Sequence, residues 1–290
     1  MPAASKFERM RILVTGAGGM VGRALVHALE PRHDVRGYRH EQLDVTRGDA
    51  VEQAIAEYRP HAVAHLGAWT DVDGCELDPE RAMRVNAEGT RRVAESARKH
   101  RARMLYVSTD YVFDGTASRP IPEDAAPHPI NTYGRSKLEG ERAVQSLLTE
   151  YFIVRSSWIY GAGGRNFVDT VLRLAEERDR IEMVEDQVGC PTYALDLAAA
   201  LVVVLESRAY GLYHITNDTE ATWYLLAQQV LRTIGSDVLL IPVKTEQVPR
   251  PARRPLYSAL GNYRLHHILD YRMRPWRGAV RSYLEERRPA

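Results

Sequence analysis

The chain has 290 residues, 44% of them apolar, and its 39 lysines and arginines against 38 aspartates and glutamates leave a formal charge of +1. That is ample apolar content for one large or two modest cored domains, and too weak a net field to hold the chain on nucleic acid or an anionic membrane. The two cysteines cannot build a disulfide framework, no apolar run suits a spanning helix, and the opening residues lack a secretory core, so a reducing, cytoplasmic setting away from membranes is expected.

In chain order, Arg11-Ile12-Leu13-Val14 is a compact strand-like run that stops at Thr15 and a glycine cluster, and Met20 to Leu29 then takes helical spacing. Val35 to Tyr38 reads as a second strand, Ala50 to Tyr58 as a helix, and His61 to Leu66, after Pro60, as a third strand. Arg81 to Lys99 is a long helical stretch, Met104 to Val107 a fourth strand, Arg135 to Glu150 a helix and Phe152 to Arg155 a fifth strand. Repeated β-α units with continuous apolar strands predict an α/β fold, a Rossmann-type doubly wound parallel sheet that binds ligands beyond the carboxyl ends of its strands. The rhythm loosens after Tyr160, with a loop over Gly161 to Gly164, a helix over Phe167 to Glu177 and a break over Pro249 to Pro255. Residues 1–160 are expected to form an NAD(P)-binding domain and 161–290 mainly a smaller C-terminal substrate-binding lobe. A return to the first domain is expected over 190–216, where Leu195 to Leu205 is helical and Leu212 to Ile215 can add a strand.

Gly16, Gly19 and Gly22 fall where the first strand passes into the first helix. There Gly16 permits a tight turn, Gly19 lets a pyrophosphate approach the backbone, and Gly22 lets helix and strand pack closely, while the helix N-terminus offers N–H groups to the anion. The second strand ends in Gly37-Tyr38-Arg39-His40 rather than in the acidic residue that holds the ribose hydroxyls of NAD. A guanidinium at Arg39 suits a 2′-phosphate, which favours NADPH over NADH. Asp44, in Leu43-Asp44-Val45, is suited either to the adenine edge or to capping the helix that follows.

Tyr133-Gly134-Arg135-Ser136-Lys137 sets a phenol and an ammonium on one face at the start of a helix. A nearby Lys⁺ and an oxidised nicotinamide both favour the phenolate, which draws Tyr133 towards the working range of a proton donor. The fourth strand runs into Ser108-Thr109-Asp110-Tyr111, and Thr109 at the carboxyl edge can donate to a substrate carbonyl. Asn86 is suited to supporting this site or to a purely structural role. Asp71, Asp73 and Glu76 are too unevenly spaced for a metal site, the ten histidines show no ligand spacing, and no metal is expected. The basic stretch from Arg250 to Arg288 is broken by prolines and acids and contains no nucleic-acid-binding module.

Three segments, Thr15-Gly16-Ala17-Gly18-Gly19-Met20-Val21-Gly22, Ser108-Thr109-Asp110-Tyr111-Val112-Phe113-Asp114-Gly115 and Tyr133-Gly134-Arg135-Ser136-Lys137, resemble the extended short-chain dehydrogenase/reductases. Four more make the chain similar to the dTDP-4-dehydrorhamnose reductase family within them: Ala68-Trp69-Thr70-Asp71-Val72-Asp73, Arg155-Ser156-Ser157-Trp158-Ile159-Tyr160-Gly161, Asp186-Gln187-Val188-Gly189-Cys190-Pro191-Thr192 and Pro251-Ala252-Arg253-Arg254-Pro255. The resemblance implies reduction of a C4 carbonyl on a dTDP-sugar by NADPH or NADH, with Thr109, Tyr133 and Lys137 as the catalytic set and Tyr133 as proton donor. It adds Gly18, Met20, Val21, Val45, Gly67 and Ala68 to the cofactor site. It also implies a substrate site of Thr70, Val72, Asp110, Trp158, Gln187, Pro191, Thr192 and Arg253, with Trp158 facing the sugar ring and Arg253 the phosphates. Two places depart from the family pattern: His65-Leu66-Gly67-Ala68 stands where Asn-Ala-Ala is usual, and Tyr257 where a small polar residue is usual. Another deoxysugar remains open as substrate, and the helical faces leave a homodimer open. A non-catalytic NADP-binding subunit like that of methionine adenosyltransferase has no need for all three catalytic groups, and a dehydratase needs an acid where Tyr111 stands.

Overall fold

The computed structural model describes residues 9–287; the polar lead over 1–8 and the last three residues lie outside them. The first half alternates as expected: β1 (Arg11–Thr15), α1 (Met20–Leu29), β2 (Asp34–Tyr38), α2 (Gly48–Tyr58) and β3 (Ala62–His65), then α3 (Val72–Leu77), α4 (Pro79–Ala82), a π-helical turn over Met83–Glu88 and α5 (Gly89–Lys99). β4 (Arg103–Thr109), α6 (Thr132–Leu147) and β5 (Tyr151–Ser156) complete it. The second half contains β6 (Ile159–Tyr160), α7 (Phe167–Glu177), β7 (Arg180–Val184), β8 (Val188–Gly189), β9 (Thr192–Tyr193), α8 (Ala194–Glu206) and β10 (Gly211–His214). It ends with β11 (Ala221–Thr222), α9 (Trp223–Ile234), β12 (Leu239–Val243), α10 (Tyr263–Leu269) and α11 (Trp276–Glu286).

Six parallel strands form the main sheet in the order β10-β5-β4-β3-β1-β2. Strand order reverses at β1, so the crevice for a ligand opens beyond the carboxyl ends of β1 and β3. The inner strands are continuous apolar runs because both faces are covered. One face packs Ile12, Val14, Leu105 and Val154 against Leu25, Leu29, Leu197 and Leu201 of α1 and α8. The other packs Leu13, Val63 and Ile153 against Val51, Val93 and Val144 of α2, α5 and α6. α8 and β10 thus belong to this sheet, although they lie in the second half of the chain. A separate core of Val168, Val171, Ile181, Leu226, Val230 and Trp276 gathers α7, α9 and α11 around the parallel pair of β7 and β12.

The stretch expected as one helix over Arg81 to Lys99 is interrupted by the π turn. The buried Asn86 sits in that turn and bonds both backbone groups of Trp69, accepting from its N–H at 2.8 Å and donating to its carbonyl at 3.0 Å. The same amide donates to Ser136 Oγ at 3.0 Å, so the loop after β3 is tied to α6 and Asn86 is structural. α6 starts earlier than expected because Asn131 caps it, accepting from Gly134 N at 2.8 Å, and Tyr133 therefore stands in its first turn. Among the described residues no helix is long and apolar enough to cross a membrane.

Candidate active site

The glycine turn sits at the switch point. Gly16 has φ +70°, and a Cβ there would lie 2.7 Å from Gly67 N; at Gly22 it would lie 2.1 Å from Gly16 O. Both glycines are required by the protein's own packing, whereas a Cβ at Gly19 would touch only Gly16 O, at an ordinary 3.4 Å. Gly19 is the N-cap of α1 without a side-chain cap, so the first N–H groups of the helix, through Met20 and Val21, remain available to an anion. Arg23 Nε holds Gly18 O at 2.8 Å, and the stem of the exposed Arg39 lies over Gly18, its Cγ 3.2 Å from where a Cβ would stand. No carboxylate pairs with Arg39 among the described residues.

Asp44 does not cap α2, whose N-cap is Arg47; its Oδ1 accepts from Thr46 N and Oγ1 at 2.9 and 2.8 Å, an Asx turn that starts the loop. Val45 is buried beside Gly67 and Gly89. The unusual His65 is fully buried in a satisfied chain. Gly67 N donates to Thr15 Oγ1 at 3.3 Å, Thr15 Oγ1 to His65 Nδ1 at 2.6 Å, His65 Nε2 to Thr90 Oγ1 at 3.0 Å, and Thr90 Oγ1 to the Asn86 carbonyl at 2.6 Å. Since Thr90 spends its proton on Asn86, the His65 proton must be on Nε2. Burial, with help from the Lys137 charge, pushes His65 down to about 3, so it is neutral. It shapes the Gly67–Ala68 backbone beside the crevice.

At the end of β4, Thr109 Oγ1 accepts from Tyr111 N at 3.2 Å and donates to Asp110 Oδ1 at 3.1 Å. Ser258 Oγ donates to the other oxygen of Asp110 at 2.5 Å. Burial pushes Asp110 up to about 7, against these hydrogen bonds. The Tyr133 phenol lies within electrostatic reach of Thr109 and Asp110, and Tyr111 meets its ring edge-on, with centroids 6.0 Å apart. Thr109, Tyr133 and Asp110 are therefore brought together as the sequence predicts. The expected downward pull on Tyr133 is not seen: burial dominates and raises the phenol well above its ordinary value, although the nearby Thr109 hydroxyl acts the other way. Lys137 lies one turn along the same face, 2% exposed, with Nζ donating to the Val107 carbonyl at 2.8 Å and resting 4.1 Å over the Tyr106 ring. Burial pushes it down to about 7, while Glu141 pulls it up.

The residues implied around the substrate divide by accessibility. Thr70 and Arg253 are exposed and Val72 and Trp158 half-buried. Trp158 has φ +48° and stacks on Trp223 with centroids 3.5 Å apart and planes 4° from parallel. Gln187 is engaged at both ends, accepting from Trp223 Nε1 at 3.1 Å and donating to Thr245 Oγ1 at 3.0 Å. Pro191 and Thr192 are buried, and the Thr192 hydroxyl donates to the Cys190 carbonyl at 3.0 Å.

The acidic trio after β3 is structural. Asp71 caps α3, Glu76 Oε2 accepts from Thr132 N at 2.8 Å at the start of α6, and Asp73 holds Arg254 at 2.5 Å and Ala252 N at 3.2 Å. Sequence reasoning missed Trp223 and Arg254, whose roles rest on contacts distant in the chain. Arg254 was in view as the neighbour of Arg253, but only the fold shows which of the two is tied down.

A parallel sheet with a nucleotide turn at its switch point, and a phenol–hydroxyl–lysine group two strands away, places the molecule in the extended short-chain dehydrogenase/reductase class. Within that class, the chain belongs to the RmlD substrate binding domain family, whose sequence profile matches residues 10–288. It is 42% identical over 284 residues to a dTDP-4-dehydrorhamnose reductase of Streptomyces griseus, covering 95% of this chain and 93% of the relative. It is also 42% identical over 277 residues to a probable dTDP-4,6-dihydroxy-2-methyloxan-3-one 4-ketoreductase of Streptomyces antibioticus, covering 94% of each. Among solved structures, the dTDP-4-dehydrorhamnose reductase of Bacillus anthracis in complex with NADP superposes with a TM-score of 0.93 at 37% identity, covering 96% of this chain and all of that one.

Proposed function

We propose that the chain uses NADPH to reduce the C4 keto group of dTDP-4-dehydro-L-rhamnose to dTDP-L-rhamnose, a nucleotide sugar for polysaccharide synthesis, in the cytoplasm. The observation that carries this reading is the gathering of the Thr109 hydroxyl and the Tyr133 phenol, with Lys137 one turn away, beyond the strand ends in a chain of this reductase family.

The turn fits a dinucleotide: Gly16 and Gly22 bring backbone and helix together, and the uncapped start of α1 offers its N–H groups to the pyrophosphate. Arg39, which pairs with no carboxylate among the described residues, would take the 2′-phosphate, and the bound cofactor supplies the hydride. Tyr133 donates the proton to O4. Its raised pKa keeps the phenol protonated near neutral pH, the state a donor needs in the reductive direction. Thr109 turns its hydroxyl from Asp110 to the carbonyl oxygen and polarises it. Lys137 steadies the phenolate left behind and holds the nicotinamide ribose. Asp110, Thr70, Val72, Trp158 and Arg253 meet the dTDP-sugar, whereas Gln187, Pro191 and Thr192 act by shaping the loop that carries them. Residues 1–160 with the return over 190–216 serve as the cofactor domain, and the remainder of 161–290 as the substrate lobe.

The test is deuterium transfer from NADPD. Label at C4 of the product sugar supports the assignment, and product without label at C4 refutes it.

A further inference from the structure

Tyr133, Lys137 and Glu141 recur at every fourth position of α6 and so share one face. Glu141 is 1% exposed, and its carboxylate accepts from Arg155 Nε at 2.9 Å, Arg155 Nη2 at 2.6 Å and Ser108 Oγ at 2.5 Å. Arg155, on β5, is 3% exposed, and its Nη1 has no hydrogen-bond partner among the described residues. Such a pair is weak as a source of stability, because stripping both charges of water offsets their attraction and apolar residues often do as well. Its position is more telling. It locks α6 to the two strands whose ends carry Thr109 and Ser156, and it places a full negative charge one turn from Lys137.

We propose that Glu141 is a positioning residue for the reduction: held by Arg155 and Ser108, it sets the face of α6 that presents Tyr133 and Lys137, and keeps the buried Lys137 ammonium charged. The inference rests on the reading of Tyr133 and Lys137 as the proton-transfer pair. The groups facing Lys137 bear it out. From α6 come Tyr133 and Glu141; from β4 the Val107 carbonyl, the Tyr106 ring and Ser108; from β3 the neutral His65, stacked on Tyr106 at 5.6 Å. Arg155 reaches in from β5 with its charge matched by Glu141, and Asp110, beyond β4, sits at about 7. Glu141 is therefore the fixed anion that offsets the effect of burial on Lys137.

The experiment is the pH profile of kcat for Glu141→Gln, which keeps the size and acceptor oxygen but removes the charge. Because burial raises Tyr133 far above neutrality, Lys137 sets the alkaline limb. In the variant that limb moves down by about one pH unit or more, so kcat falls about tenfold at pH 8 and recovers in part at pH 6. A loss equal at every pH, or an unmoved limb, overturns the proposal. Should the single variant not fold, the apolar pair Glu141→Met with Arg155→Met restores packing and is expected to move the limb in the same direction by a smaller amount, because the Arg155 charge goes with that of Glu141. Lys137→Met separates the two levels: if it keeps near-normal kcat, the reading of Lys137 itself fails; if it abolishes turnover while Glu141→Gln leaves the limb in place, only the role of Glu141 fails.

Discussion

Acidification from pH 7 to 5 should destabilise the fold by an amount that Asp110 partly cancels. His65 and His214 are fully buried and neutral, each pushed down to about 3, His65 by burial with help from Lys137 and His214 by burial with help from Arg155. Their folded pKa values lie below the unfolded value of 6.5, so below that value the unfolded chain binds protons that the folded one refuses. The stability they contribute is present above 6.5 and lost as pH falls towards 3, about 4 kcal/mol for the two together by pH 5. Asp110 has the opposite sign. Burial raises it from 3.8 to about 7, so between those values the folded chain holds a proton that the unfolded one has released, and acidification returns about 2 kcal/mol. The net loss is about 2 kcal/mol, lessened further by Glu123, which burial also raises. Asp110→Asn removes the offset, and its loss over the same interval should approach about 4 kcal/mol. Urea unfolding at 25 °C at several pH values measures both slopes. Equal losses in parent and variant would mean that Asp110 is an ordinary ionised carboxylate. A parent that gains stability down to pH 5 would mean that the histidines are not held neutral. The same protonation bears on Thr109, whose hydroxyl bonds Asp110 more strongly while that acid is charged.

Tyr133→Phe should lower kcat by about 10²- to 10⁴-fold while NADPH still binds, as cofactor fluorescence can check; near-normal turnover would remove the phenol from the chemistry. Arg39→Ala should lower the preference for NADPH over NADH, measured as the ratio of their kcat/KM values, by about 10- to 100-fold, the worth of one hydrogen bond to a charged group. An unchanged ratio would take Arg39 out of the cofactor site.

The main sheet was legible because its inner strands are buried on both faces: Ile12-Leu13-Val14 and Phe152-Ile153-Val154 read as unbroken apolar runs. The glycine turn and the Tyr133–Lys137 pair were legible for a related reason, since each is a local pattern whose meaning depends on where the chain changes from strand to helix. The substrate lobe was not. β6, β8, β9 and β11 are two residues long and have no period to detect, and β7 and β12 pair across a long intervening segment. Trp223 and the pairing of Glu141 with Arg155 went unnoticed because a stacked indole or a buried ion pair exists only once distant segments meet. Glu141 left one local trace, its place one helical turn beyond Lys137. The π turn at Asn86 left none, because helical spacing continues through it.

The most direct measurement is the absorbance of NADPH and of NADH on addition of enzymatically prepared dTDP-4-dehydro-L-rhamnose, with the product sugar identified by NMR. Oxidation is expected to match dTDP-L-rhamnose formation mole for mole and to be faster with NADPH. Cofactor that binds without being oxidised, or a different sugar as product, would overturn the assignment.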